Sequence, residues 1–210
     1  MQRLSPRNEF SSFFLARLFA VVLVCCAVFS SGCHRRPTPP KAYVGFVVNN
    51  QSSTLAEFDL AKFRVRAAVR VARRPERVLA RPHRKELWVL SASGEISVVE
   101  FPPLRVVREL RLGEEARDLG FSLDGRRAFI LEPAKGQIVF IDSVRYKETT
   151  RVNLGSPLTD LALTPDGHTL VASSRATNRL FFVKVDNQKV LGSLEVGKAP
   201  GPMVILPNSS

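Results

Sequence analysis

Few residues in this chain have the types and spacing that chemistry demands. The histidines are His34, His83 and His168, and the cysteines are Cys25, Cys26 and Cys33. A metal site needs three or four converging donors, and no His-Glu-x-x-His, Cys-x-x-Cys, Gly-x-Ser-x-Gly or glycine-rich phosphate loop is spelled out. The acids Asp59, Glu100, Asp142 and Asp186 each close an apolar run and look catalytic singly; their recurrence once per repeat points instead to capped turns. Glu132, Arg175 and Asn178 are polar loop residues that could build an active site only if the fold carried them to a shared axis. On this reading no catalytic residue, metal ligand or cofactor is expected, His83 and His168 are turn residues, and Trp88 is core.

What must position these residues is a repeat. A glycine or small residue, ten positions of mostly apolar chain and a Pro-Asp-Gly-like turn recur as Ala72 to Pro82, Gly113 to Leu123, Gly155 to Pro165 and Gly197 to Pro207. The turns are 41, 42 and 42 residues apart, the length of one four-stranded propeller blade. The copy from Pro157 to Pro200 reads most clearly: apolar runs at Leu158–Thr164, Leu170–Ser174, Leu180–Val185 and Lys189–Val196 are separated by Pro165-Asp166-Gly167, Arg175-Ala176-Thr177-Asn178 and Asp186-Asn187. Each interruption supplies a fixed φ, a side-chain acceptor or a residue free to take positive φ. The copy at Ala72 is degenerate, with Ala72 for the glycine and Pro82-His83-Arg84 for the turn.

These residues resemble the YVTN-type β-propeller repeat family, which is similar to the WD-repeat-like and quinoprotein-like propellers. The resemblance covers Ala42 to Ser210, and rests on Val196-Gly197-Lys198-Ala199-Pro200, Thr164-Pro165-Asp166-Gly167, Phe140-Ile141-Asp142 and Tyr43-Val44-Gly45-Phe46. It implies an all-β fold, a β-propeller of four-stranded antiparallel blades with about four blades in this chain. Counting runs gives sixteen strands, the last at Pro202 to Ser209. Two architectures remain open: a four-bladed ring latched by its ends, or a partial ring of a larger propeller.

The N-terminal region reads as an address. Arg3, Arg7 and Arg17 precede an apolar core at Leu18–Phe29, too short for a comfortable membrane span and suited to a signal peptide over residues 1–32. Ser30-Ser31-Gly32-Cys33 resembles a bacterial lipobox, which implies lipidation of Cys33, and His34 after it favours the outer membrane. Residues 33–41 form a Pro-rich linker, and residues 42–210 hold the repeats. With Cys25 and Cys26 removed, the exported part has no disulfide and must be held by its core alone.

Charge is concentrated beside that anchor. Of the formal net charge of +12, residues 34–85 contribute 13 Lys or Arg against 3 acids, while residues 86–210 balance. Arg64, Arg66, Arg70, Arg73, Arg74, Arg77 and Arg81 could form a polyanion-binding or membrane-facing surface, each well-placed base adding about 1 kcal/mol against anionic lipid head groups. Nucleic acid is disfavoured as partner because no aromatic stacking residues are interleaved. The expected function is a lipid-anchored, exported propeller of the cell envelope, facing periplasm or exterior, that binds a protein or small ligand without catalysis. The alternative is an exported propeller enzyme, hydrolase, lyase or quinoprotein-like, or a fragment of one, with an axial site.

Overall fold

Each apolar run between turn residues becomes one strand, and each group of consecutive strands folds up and down into its own sheet. The computed structural model describes residues 43–113 and 115–207, inside the unit Ala42–Ser210. The expected signal peptide, Cys33 and the whole of the linker over residues 33–41 lie outside the described residues. The first sheet holds β1 (Val44–Asn49), β2 (Thr54–Asp59) and β3 (Arg64–Arg70). The second holds β4 (Pro75–Ala80), β5 (Glu86–Ser91), β6 (Glu95–Glu100) and β7 (Arg105–Arg111). The third holds β8 (Asp118–Phe121), β9 (Arg127–Glu132), β10 (Gln137–Asp142) and β11 (Lys147–Asn153). The fourth holds β12 (Asp160–Leu163), β13 (Thr169–Ser174), β14 (Arg179–Lys184) and β15 (Val190–Glu195). All pairings are antiparallel, and no helix occurs among the described residues.

Successive sheets pack on one another, the inner strands β4, β8 and β12 in turn and β1 of the three-stranded first sheet against β4. Burial follows from this stacking. In β5, β9 and β10 nearly every residue is buried on both faces, because sheets lie on either side. One apolar cluster, built on Trp88, Leu90, Ile96, Val98, Ala128, Ile130, Val139 and Ile141, fuses the second and third sheets. Another, with Phe129, Leu131, Ile138, Phe140, Leu170 and Val183, fuses the third and fourth; Leu55, Leu87, Val89 and Val99 anchor the first sheet to the second. β15 is exposed throughout, as the outer strand of the last sheet must be.

Two expectations need correction. The segment expected to form a sixteenth strand makes no ladder among its described residues, and β1 pairs with β2 alone, so the first sheet has three strands. Ladder bonds need a neighbouring strand; lacking one, the Met203 N–H is accepted by Asp160 Oδ2 at 2.8 Å. Asp186 does not close its strand either. β14 ends at Lys184, and Asp186 lies two residues further on within the turn, where Asn187 Oδ1 takes the Lys189 N–H. Asp59 and Asp142 are turn caps as expected, accepting the N–H groups of Ala61 and Lys62, and of Val144 and Arg145.

Candidate functional site

The connections that carry the chain from the outer strand of one sheet to the inner strand of the next gather at one end of the array. Between the first two sheets they enclose a cleft of about 1000 Å3. Its walls come from the β1–β2 turn (Asn50, Gln51, Ser53), the β3–β4 connection (Arg73, Arg74), and Glu76, Ser93, Glu95, Arg111 and Glu115. Two features fix the connection. Arg74 takes a positive φ of 52°, and the Arg73 carbonyl accepts the Ser91 hydroxyl, so both arginine side chains stand exposed at the rim. Arg111 is neutralised by Glu95 at 3.3 Å, and among the described residues no ion pair engages Arg73 or Arg74.

Glu76 also lines a second, smaller hollow, of about 270 Å3, with Arg77, Arg117, Asp118, Thr159 and Asp160. This hollow sits where three inner strands begin. Arg77, Asp118 and Asp160 each stand five residues before the turn position of their repeat, so the repeat itself places them side by side. Arg77 Nη1 reaches Asp118 Oδ1 at 3.0 Å, and the Leu119 N–H donates to the same oxygen. Burial, with help from the Asp160 carboxylate, pushes the Asp118 carboxyl above the ordinary range despite Arg77. A carboxyl held towards its neutral form in a cleft is a common mark of a working site.

The seven arginines proposed as one surface occupy four environments. Arg64, Arg66 and Arg70 line the exposed outer strand β3, with Arg66 leaning on Glu57 at 3.4 Å. Arg73 and Arg74 border the cleft, and Arg77 lies at the inner hollow. Arg81 departs from the expectation entirely: it is buried between the second and third sheets. Its Nε donates to the Gly125 carbonyl at 2.7 Å, and Nη1 donates to the Ser143 carbonyl and to Glu86. The cause is topological, since the chain from Arg64 to Arg81 travels from the perimeter of one sheet to the inner edge of the next.

Other singled-out residues are placed as follows. Glu132 is buried and clamped by Arg151, which also donates to the Leu112 carbonyl, so it ties the third sheet to the preceding connection. Asn178 takes positive φ and accepts the Ala199 N–H, while the Arg175 side chain is exposed. Glu132, Arg175 and Asn178 share no cleft with Asp118. His83 and His168 are exposed in turns, and Trp88 is fully buried with its indole N–H on Glu86 at 2.6 Å. Among the described residues no group of three His, Cys, Asp or Glu could hold a metal ion, and no helix is long and apolar enough to cross a membrane.

Neither a protein-family model nor a curated protein matches this chain. Solved structures do. A chain of Kuenenia stuttgartiensis hydrazine synthase superposes with a TM-score of 0.64 at 22% identity, over 70% of this chain and 44% of that one. A functionally unknown protein from Desulfotomaculum acetoxidans DSM 771 gives 0.68 at 14% identity, over 78% and 56%. This chain therefore spans about half the length of the solved chains it matches. At these identities the likeness is one of fold.

Proposed function

We propose that the chain is a lipid-anchored β-propeller of the cell envelope, its sheets serving as blades, that binds an anionic group of a protein or small ligand in the cleft between its first two sheets. The observation that carries this reading is the pair Arg73 and Arg74, presented at the rim of a polar cleft with no ion-pair partner among the described residues, by a connection whose backbone is independently pinned. Such guanidinium groups match carboxylate and phosphate geometry. The exposed row Arg64, Arg66 and Arg70 suits an anionic lipid surface, and supports anchoring through Cys33 close by in sequence.

A panel of carboxylates, phosphates and acidic peptides, read by thermal shift, tests the cleft. At least one should raise the melting temperature of the wild type and fail with Arg73→Ala/Arg74→Ala, while Arg64→Ala/Arg70→Ala keeps the response. A shift that survives in the first variant, or none with any anion, contradicts the reading. An axial enzyme is the second reading, and the raised Asp118 favours it; an activity abolished by Asp118→Asn with ligand binding intact would decide for it.

A further inference from the structure

Two of the three internal junctions between sheets are closed by the same device; at the third-to-fourth junction the equivalent side chain, Gln188, donates instead to the Val185 and Asp186 carbonyls of its own turn. The turn joining the third and fourth blade strands sends one side chain back into the preceding sheet. At the second-to-third junction this is Tyr146: its ring stacks on Trp88 at 6.2 Å, its hydroxyl donates to Glu86 at 2.8 Å, and the Arg108 guanidinium lies over it at 5.0 Å. At the first-to-second junction Leu104, one repeat earlier, packs with Phe101 in the cluster that holds Phe46, and the Phe46 and Phe101 rings are 4.8 Å apart. Phe46, Trp88 and Val171 occupy equivalent places on the second blade strand of their sheets.

Two exposed faces, one on the first sheet and one on the fourth, carry the unmatched halves of this junction among the described residues. Phe63 is the repeat equivalent of Leu104 and Tyr146, has the same positive φ as Tyr146, and is 92% exposed. On the far face of the fourth sheet, Thr169, Val171 and Gly192 are the equivalents of Glu86, Trp88 and Arg108. All three line an apolar cleft of about 610 Å3, with Phe182 and Leu191. Beside it run Met203, Val204 and Ile205, the repeat equivalents of an inner strand, with Val204 81% exposed. The first sheet is the one that lacks an inner strand, and the outer edge of β1 has no ladder partner among the described residues.

We propose that the chain joins head to tail with a second copy of itself: Phe63 of one copy seats in the Thr169, Val171 and Gly192 cleft of the other, whose Met203–Ile205 segment adds to the free edge of β1. The contact continues a junction the chain already makes twice, through Leu104 and through Tyr146. Its high exposure shows that Phe63 does not seat in its own chain's cleft. A heterologous contact closes into a ring or runs on as a filament. Two copies supply eight sheets, at the upper end of the four to eight blades usual for propellers, whereas three would supply twelve. The ring of two rests on the propeller arrangement proposed above.

The test is the mass of the full chain in detergent, by light scattering with the detergent contribution removed. Wild type should run at twice the 23.3 kDa chain mass less any processed leader. Phe63→Asp and Leu191→Asp alter exposed side chains, so both should keep native circular dichroism, and each alone should be monomeric. Mixed in equal amounts they should recover a dimer, because each retains the half the other has lost. A wild-type monomer, or a dimer that persists in Phe63→Asp, overturns the proposal. In the monomer case X-ray scattering separates the causes: an arc-shaped envelope leaves the propeller arrangement standing, and a straight stack removes that as well.

Discussion

Tyr146 of the third sheet and Glu86 of the second are 60 residues apart in sequence and joined by a 2.8 Å hydrogen bond. The same carboxylate accepts from the Trp88 indole and from Arg81, so three donors from both sheets converge on one buried acid. Removing one partner leaves a buried charge unmatched. Glu86→Gln or Arg81→Met should therefore cost about 3 to 5 kcal/mol, and Tyr146→Phe about 1 to 3 kcal/mol. Urea denaturation of the single and double variants checks this, and the Arg81→Met/Glu86→Gln pair should cost less than the sum of its parts.

Turn glycines are needed unequally. Gly125 and Gly167 take φ of 65° and 76°, and the Gly125 turn packs so closely on the Pro82 carbonyl that a side chain has no room. Gly167→Val should cost about 1 to 3 kcal/mol through backbone strain. In the degenerate copy positive φ has moved to His83, at 59°, one residue before the glycine position. Arg84→Val should then be nearly neutral, and His83→Gly should be tolerated in thermal melts where His83→Val is not.

Acid should loosen the turns before the core. The Thr164 hydroxyl and the His168 N–H hold Asp166 below the ordinary carboxylate range, the Ser122 hydroxyl does so for Asp124, and the Arg145 N–H for Asp142. These depressed groups contribute stability that is complete above about pH 4 and is lost as pH falls through their lowered folded values. Asp118 has the opposite sign, because its raised value makes ionisation unfavourable as pH climbs. Asp124→Asn/Asp142→Asn should flatten the urea midpoint between pH 5 and 3, whereas Asp118→Asn should raise that midpoint towards neutral pH.

Much of the sheet pattern was legible because turn chemistry recurs at fixed spacing: the strands of the third and fourth sheets fall where Leu123, Pro165 and their glycines place them. Arg81 was not legible. Its neighbours Pro82-His83-Arg84 look like surface, and its partners Gly125 and Ser143 arrive from another repeat. Asp186 misled because β14 ends two residues before it, at Lys184, and the turn begins at Val185. The inner hollow could have been found by counting five residues back from each turn, to Arg77, Asp118 and Asp160. Nothing local marks them as neighbours, since their convergence comes from the stacking of sheets.

The proposed lipid anchor at Cys33 would hold this protein at a membrane surface. Metabolic labelling with an alkyne fatty acid, followed by the intact mass of the purified protein, measures that directly. Wild type should carry label on a chain beginning at Cys33, and Cys33→Ser should carry none and accumulate as precursor or be released. Equal labelling of the two proteins, or an unlabelled wild type that stays membrane-bound with its leader intact, would contradict lipid anchoring.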